Sequence, residues 1–290
     1  MNVIELLALA AIWGASFLFM RVAAPELGPI PLIALRVTIA AIVLAPGLRS
    51  ATARSQFRSK AWPLIVVGVT NSAVPFCLLA YSTLYVNAGV DSILNATTPL
   101  WAALIAVAGF GGSMRFGQAV GLMLGLGGVV ILAWGTLIGG ASALPLAIGA
   151  ALLATLFYGF AVNYSKRHLA GVNPFVIAFG SQLFASILLI PLALFFWPKH
   201  AVAPSTWACV AALGVVCTGF AYVLFFRLVE RVSAAYAASV TFLIPIFGMV
   251  WGAVFLGEAI TSVMIAGCAI VLFGTALASG KLGWMLARSE

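Results

Sequence analysis

Apolar runs of about 18 to 23 residues recur along the whole chain, separated by short gaps that hold most of its polar residues, glycines and prolines. A helix rising about 1.5 Å per residue needs about 20 such residues to cross about 30 Å of hydrocarbon, so each run has the length of a membrane span. Reading from breaker to breaker predicts ten helices, at 3–22, 30–48, 63–85, 89–110, 117–137, 145–165, 173–196, 206–228, 234–256 and 261–279. Turn residues punctuate the gaps: Pro25, Gly28 and Pro29, then Gly111 and Gly112, Gly139 and Gly140, Gly171 and Pro174, and Pro198. Segments of about ten residues with alternating polarity, which a membrane β-barrel requires, do not occur. The expected fold is an all-α integral membrane protein of ten transmembrane helices, with no soluble domain between them.

The pattern repeats. An ungapped offset of 146 lays Gly68 on Gly214, Val86 on Val232, Ala88 on Ala234, Pro99 on Pro245, Gly111 on Gly257, Gly121 on Gly267 and Gly128 on Gly274. Nearer the start the offset is 145, laying Trp13 and Gly14 on Tyr158 and Gly159, and Arg21 on Lys166. Superposed glycines and prolines mark shared backbone requirements, whereas apolar matches are cheap in such a biased sequence. Residues 1–139 and 140–290 are therefore expected to be two five-helix repeats. An odd number of spans in each makes the second enter the bilayer from the opposite face, the inverted design of many secondary carriers.

Composition and charge sharpen this. Of the 290 residues 64% are hydrophobic and 7% charged, and the mean hydropathy is +1.20, whereas soluble domains are about a quarter charged. The net charge of +8 lies in the gaps and marks topology, not a nucleic-acid partner. With the N-terminus inside, Arg49, Arg54, Arg58, Lys60, Arg115, Lys166, Arg167, Arg227, Arg231, Lys281 and Arg288 all fall inside, and only Arg21 and Lys199 outside. Both termini are expected in the cytoplasm. Trp62, Trp134, Trp197, Trp207 and Trp284 lie near helix ends, where an indole suits the headgroup level. The first run lacks a basic n-region and a cleavage site, so it reads as a helix and not as a signal peptide.

Catalytic chemistry has no foothold. His168 and His200 lie in gaps, no HExxH motif or aspartate pair occurs, and Cys77, Cys209, Cys217 and Cys268 are scattered through apolar runs. No catalytic residue, metal site or cofactor is expected. The acids Glu5, Glu26, Asp91, Glu230, Glu258 and Glu290 all sit in loops, at termini or near helix ends. Proton-driven carriers place a carboxylate deep in the bundle, so facilitated diffusion or exchange is expected instead.

Arg36 is the one ionisable side chain well inside a span. Asp91 and Glu26 lie at comparable depth, so one reading is a paired arginine that holds the outer bundle together, and another is a gate or a contact to a substrate carboxylate. The transport pathway should be lined by aromatic and small polar side chains at mid-depth, since lipid-facing positions gain nothing from polarity. Trp13, Ser16 and Phe17 form one such group, Asn71, Ser72, Tyr81 and Ser82 another, and Asn95, Thr98 and Trp101 a third. Tyr158, Thr218, Tyr222, Ser239, Thr241, Phe242 and Trp251 are their counterparts in the second half. Such a wall suits an amphipathic solute, rings stacking on rings while hydroxyls and amides hold the polar end. Pro99 and Pro245 are expected to kink their helices mid-span as hinges, and Pro75 does the same in the third helix. Gly121, Gly125, Gly128, Gly267 and Gly274 suit close helix contact, within the chain or between the copies of a homodimer.

The motif W-G-A-S-F at Trp13–Phe17, A-L-R-x-x-x-A from Ala34 through Arg36 to Ala40, the prolines of helices four and nine, and L-G-E at Leu256–Glu258 before a Gly-punctuated last helix resemble the bacterial drug/metabolite transporter superfamily, EamA type. Within it the chain looks most like YddG-type exporters of aromatic amino acids. The first half has Gly112 where the second has Glu258, so an acid often found there in the family is missing. The resemblance implies an inner-membrane exporter of small metabolites, amino acids among them, through a central cavity between helices one to four and six to nine. A multidrug exporter is the nearer alternative, and a lipid flippase or scramblase the alternative from another class.

Overall fold

The computed structural model describes residues 2–137 and 144–280, and every regular element among them is helical. The expected turn at Gly139 and Gly140, Trp284, and the tail residues Lys281, Arg288 and Glu290 lie outside the described residues. Eight helices are long and apolar enough to cross a membrane: Asn2–Leu27, Pro29–Leu48, Ala61–Ser82, Ala88–Gly109, Phe116–Trp134, Leu144–His168, Pro174–Phe195 and Pro204–Arg231. Ile244–Leu256 and Ser262–Ala278 are shorter apolar helices.

In chain order the elements are α1 (Asn2–Leu27), α2 (Pro29–Leu44) with a 3-10 turn to Leu48, α3 (Ala51–Ser59), α4 (Ala61–Gly68), α5 (Val74–Ser82), α6 (Ala88–Asn95), α7 (Thr98–Gly109) and α8 (Phe116–Leu137). The second half follows with α9 (Leu144–His168), α10 (Pro174–Phe195), α11 (Pro204–Ala211), α12 (Ala221–Arg231), α13 (Ala234–Ala237), α14 (Ile244–Leu256) and α15 (Ser262–Ala278). A π-helical turn, Val69–Ala73, joins α4 to α5, and a longer one, Ala212–Phe220, joins α11 to α12.

Three expectations need correction. The gap at 49–62 is not all loop: Ser50 caps α3 by accepting the Ala53 N–H at 3.0 Å. Phe57, one turn on, stacks on Phe184 at 5.7 Å, and Ala53 is buried with Leu64 and Val67. Arg54, Arg58 and Lys60 mask this short amphipathic element in the sequence. Pro25 does not end the first helix, which runs to Leu27 and stops at Gly28 with φ 78°. Pro99 and Pro245 do not kink continuous helices either. The chain breaks just before each, at Ala96–Thr97 and across the 3-10 turn Ala238–Phe242, and each proline occupies the first turn of a new helix, where no backbone donor is required.

The two halves pack reciprocally. α1 packs on α14 as α7 packs on α9, and α2 packs on Ala212–Phe220 as α10 packs on α4 and Val69–Ala73. The self-corresponding pairs α2 with α10 and α8 with α15 face each other. Glycines set these approaches. A Cβ on Gly14 would lie 2.7 Å from Phe247 Cβ, and one on Gly159 would lie 3.0 Å from Trp101 Cβ. A Cβ on Gly68 would lie 2.9 Å from the Ser181 carbonyl, and one on Gly214 would lie 3.2 Å from the Arg36 carbonyl. At the offsets found in the sequence, Phe247 corresponds to Trp101 and Ser181 to Arg36, so each contact occurs twice with the roles of the halves exchanged, as in an isologous interface. Gly111 and Gly257 also match, both at positive φ (71° and 66°), where the chain leaves α7 and α14.

Candidate functional site

Four interruptions of helical regularity meet around one cavity of about 390 Å³. The turn Val69–Ala73 contributes Asn71, and the α6–α7 break contributes Asn95 and Thr98. The turn Ala212–Phe220 contributes Cys217 and Thr218, and the 3-10 turn contributes Ala238, Val240 and Thr241. Irregular backbone at membrane depth must be buried in protein or line a cavity, because lipid offers no hydrogen-bond partners. Here neighbouring hydroxyls accommodate it. Thr97 and Thr98 donate to the Leu94 and Asn95 carbonyls at 2.7 and 2.8 Å, and Ser239 and Thr241 donate to those of Tyr236 and Ala238 at 2.6 and 2.9 Å.

Regular helices supply the rest of the wall: Trp13, Ser16, Phe17 and Met20 from α1, Arg36 from α2, Phe76 and Leu79 from α5, Tyr158 and Val162 from α9, Tyr222 and Phe225 from α12, and Ile244 from α14. Most of these residues are repeat partners. Trp13 and Phe17 correspond to Tyr158 and Val162, Asn71 to Cys217, Phe76 to Tyr222, Leu79 to Phe225, Asn95 to Thr241 and Thr98 to Ile244. Rings of the wall meet in pairs, Trp13 5.6 Å from Phe225 and Phe76 6.3 Å from Tyr158, and Tyr222 stacks on Phe226 behind it at 5.8 Å.

Of the pathway residues expected from sequence, the cavity gathers Trp13, Ser16, Phe17, Asn71, Asn95, Thr98, Tyr158, Thr218, Tyr222 and Thr241, together with Arg36. It leaves out seven. Tyr81 lies tilted against Tyr85 at 5.3 Å, Trp101 backs onto Gly159, and Phe242 lies in the 3-10 turn without reaching the wall. Ser72 accepts from Gln182 at 2.9 Å, Ser82 is buried beside Asp91, Ser239 donates to the Tyr236 carbonyl, and Trp251 donates its indole N–H to the Ala11 carbonyl at 2.9 Å. Phe76, Leu79, Val162 and Phe225 were missed, because an apolar side chain in a membrane helix carries no mark of which way it faces. The internal repeat is the signal for two of them, Phe76 as the partner of Tyr222 and Val162 as the partner of Phe17, whereas Leu79 and Phe225 are partners of each other and carry no mark.

Arg36 is 5% exposed. Its Nε donates to Thr218 Oγ1 at 2.9 Å, Nη1 approaches the Met20 sulfur at 3.6 Å, and its guanidinium carbon lies 3.9 Å from the centre of the Phe76 ring. Among the described residues no carboxylate pairs with it. Asp91 is fully buried in the first turn of α6 beside the Ser82 hydroxyl, away from the cavity wall. Glu26 accepts from the Ala203 N–H and the Thr206 hydroxyl, each at 2.9 Å, at the start of α11. The paired-arginine arrangement is therefore not the one formed.

To one side of the cavity, the Glu258 carboxylate accepts the Ala88 N–H at 2.9 Å at the start of α6 and lies 3.5 Å from Arg21 Nε. Arg21 also donates to the Thr83 carbonyl. Burial raises the Glu258 carboxyl above its ordinary range, against the opposing pull of the Ala88 N–H and Arg21. At another end of the bundle, Glu5 pairs with Arg231 at 3.1 Å and Arg227 at 3.4 Å.

The profile of the EamA-like transporter family matches residues 2–134 and again residues 145–280. A protein of Streptantibioticus cattleyicolor described as "Probable terminal-alkyne amino-acid exporter" is 26% identical over 267 residues, covering 91% of this chain and 89% of that one. The uncharacterized transporter YoaV of Bacillus subtilis is 22% identical, with 93% of each chain covered. A solved crystal structure resembles the whole fold with a TM-score of 0.66 at 23% identity, covering 98% of this chain and 97% of that one.

Proposed function

The chain belongs to the EamA-like transporter family, and from that premise we propose that it is an inner-membrane secondary transporter exporting small amphipathic metabolites, amino acids including aromatic ones among them, by alternating access through the central cavity. Both termini are cytoplasmic in this reading, and the two five-helix repeats insert in opposite orientations. The observation that carries it is the gathering of repeat partners around one cavity, Trp13 with Tyr158 and Phe76 with Tyr222 among them. A wall built from equivalent residues of two reciprocally packed halves can exchange its two ends when the halves exchange conformations. The doubled family match supports the repeat boundaries. The amino-acid exporter among the relatives supports the substrate class.

Among the described residues no acidic side chain lines the cavity, which favours exchange or facilitated diffusion over proton antiport. A volume of about 390 Å³ is near the low end for small-molecule sites. It suits a single-ring solute better than a lipid. The test is counterflow of radiolabelled phenylalanine in proteoliposomes, with a fluorescent phospholipid followed in the same vesicles. Phenylalanine counterflow with static lipid is the expected result, and lipid movement without phenylalanine flux would overturn the proposal.

A further inference from the structure

The cavity is apolar and aromatic over most of its wall, yet it holds one full charge, that of Arg36, whose repeat partner is the uncharged Ser181. A guanidinium has five N–H donors in a planar fork. In this structure one goes to the Thr218 hydroxyl and one toward a thioether, itself a weak acceptor. A buried cation without a counter-charge is costly, so the arrangement is incomplete without an anion. The opposite charge has no such provision. No acidic side chain lines the cavity among the described residues, and at the helix breaks the Leu94, Asn95, Tyr236 and Ala238 carbonyls already accept threonine and serine hydroxyls. The open acceptors in the wall are neutral: the amide oxygen of Asn95 and the hydroxyl of Ser16 have no hydrogen-bond partner.

We infer that Arg36 anchors the carboxylate of the transported solute while the rings of Phe17, Phe76 and Phe225 take its apolar body, so that the site recognises apolar and aromatic monocarboxylates and reads no ammonium group by charge. Amino acids are then one subset of the substrates, and their amino group meets only neutral dipoles, those of Asn95 and Ser16 among them. This deepens the proposed transport function and rests on it. The cation–π contact to Phe76 holds the guanidinium plane while the site is empty, and a bidentate carboxylate takes over the free donors.

The test uses the full-length purified protein in detergent, titrated with phenylalanine, 3-phenylpropanoate, phenethylamine and 3-phenylpropanamide and read by thermal shift. Phenylalanine and 3-phenylpropanoate are expected to stabilise with similar affinities, and phenethylamine to bind at least about tenfold more weakly, as the loss of one charge-assisted interaction implies. Arg36→Gln should weaken 3-phenylpropanoate by about tenfold or more and leave 3-phenylpropanamide within about twofold. Phenethylamine binding as well as 3-phenylpropanoate would overturn the carboxylate anchor and leave the transport reading standing. Equal losses for acid and amide in Arg36→Gln would do the same, by making the arginine structural. If no probe stabilises the wild type, the small-solute reading fails and the anchor fails with it. Should Arg36→Gln not yield folded protein, the wild-type comparison of acid with amine decides.

Discussion

Thr218 accepts a 2.9 Å hydrogen bond from Arg36 Nε, joining the second helix of one half to the third segment of the other. The repeat partner of Thr218 is Ser72, which accepts at 2.9 Å from Gln182 on α10, the helix that corresponds to α2. A similar cross-link is thus made in both halves, from donors one residue apart in register, once with a charge and once without.

Thr218→Val removes the acceptor and leaves the buried guanidinium with a thioether and a ring. A lost partner of a charged donor costs about 1.5–3 kcal/mol. A lower melting temperature in detergent is expected, with Thr218→Ser close to the wild type. Equal stability of all three proteins would contradict the contact.

The α8–α15 contact rests on glycines packed within one chain. A Cβ on Gly274 would lie 2.3 Å from the Gly125 nitrogen, whereas a Cβ on Gly127 would meet nothing within 4 Å. Gly274→Ala should therefore destabilise by about 1–3 kcal/mol, the range for overpacking. Gly127→Ala should be neutral or mildly stabilising, alanine being the better helix former. Thermal melts of the two variants check the contrast.

Glu258 makes stability depend on pH in a defined direction. Its carboxyl titrates higher in the folded protein than the ordinary 4.5, so the folded state takes up the proton first as pH falls. The resulting stabilisation is fully present below 4.5 and is lost as pH rises through the folded-state value. The melting temperature of the wild type relative to Glu258→Gln should accordingly be higher at pH 5 than at pH 8. A difference that does not change with pH would contradict the raised carboxyl.

Aromatic solutes should depend on Trp13 and not on Tyr81. Trp13→Ala removes an indole from the wall and should weaken phenylalanine binding by up to about tenfold, since one aromatic contact is worth about 0.5–1.5 kcal/mol beyond its area. Tyr81→Phe, outside the cavity against Tyr85, should leave it unchanged. Isothermal titration of both variants makes the comparison.

Hydropathy read between chain breakers located the eight helices that are long and apolar enough to cross a membrane among the described residues, because the length of a span is dictated by the bilayer. Chain breaks were harder to read. Pro99 and Pro245 pointed to the right places, but proline at the first turn of a new helix and proline in a kink look alike in sequence. The π-helical turns at Val69–Ala73 and Ala212–Phe220 have no compositional mark at all. Polar and aromatic residues betrayed half of the cavity, Trp13, Asn95 and Tyr222 among them. Arg36 stood out by its charge, although its neighbours Thr218, Met20 and Phe76 come from three other segments and no spacing rule brings them together. Phe76 was legible only through its repeat partner Tyr222, and Phe225, partnered by Leu79, carried no mark in either half.

Two-sided transport through the shared cavity requires the two halves to cross the membrane in opposite senses. Ser55 and His200 are exposed and occupy corresponding gaps of the two repeats. With the four native cysteines replaced, single cysteines at these two positions should be labelled by a membrane-impermeant maleimide from opposite sides of intact cells, position 200 from outside and position 55 only after permeabilisation. Labelling of both from the same side would contradict the inverted repeat and, with it, the shared cavity as a two-sided transport site.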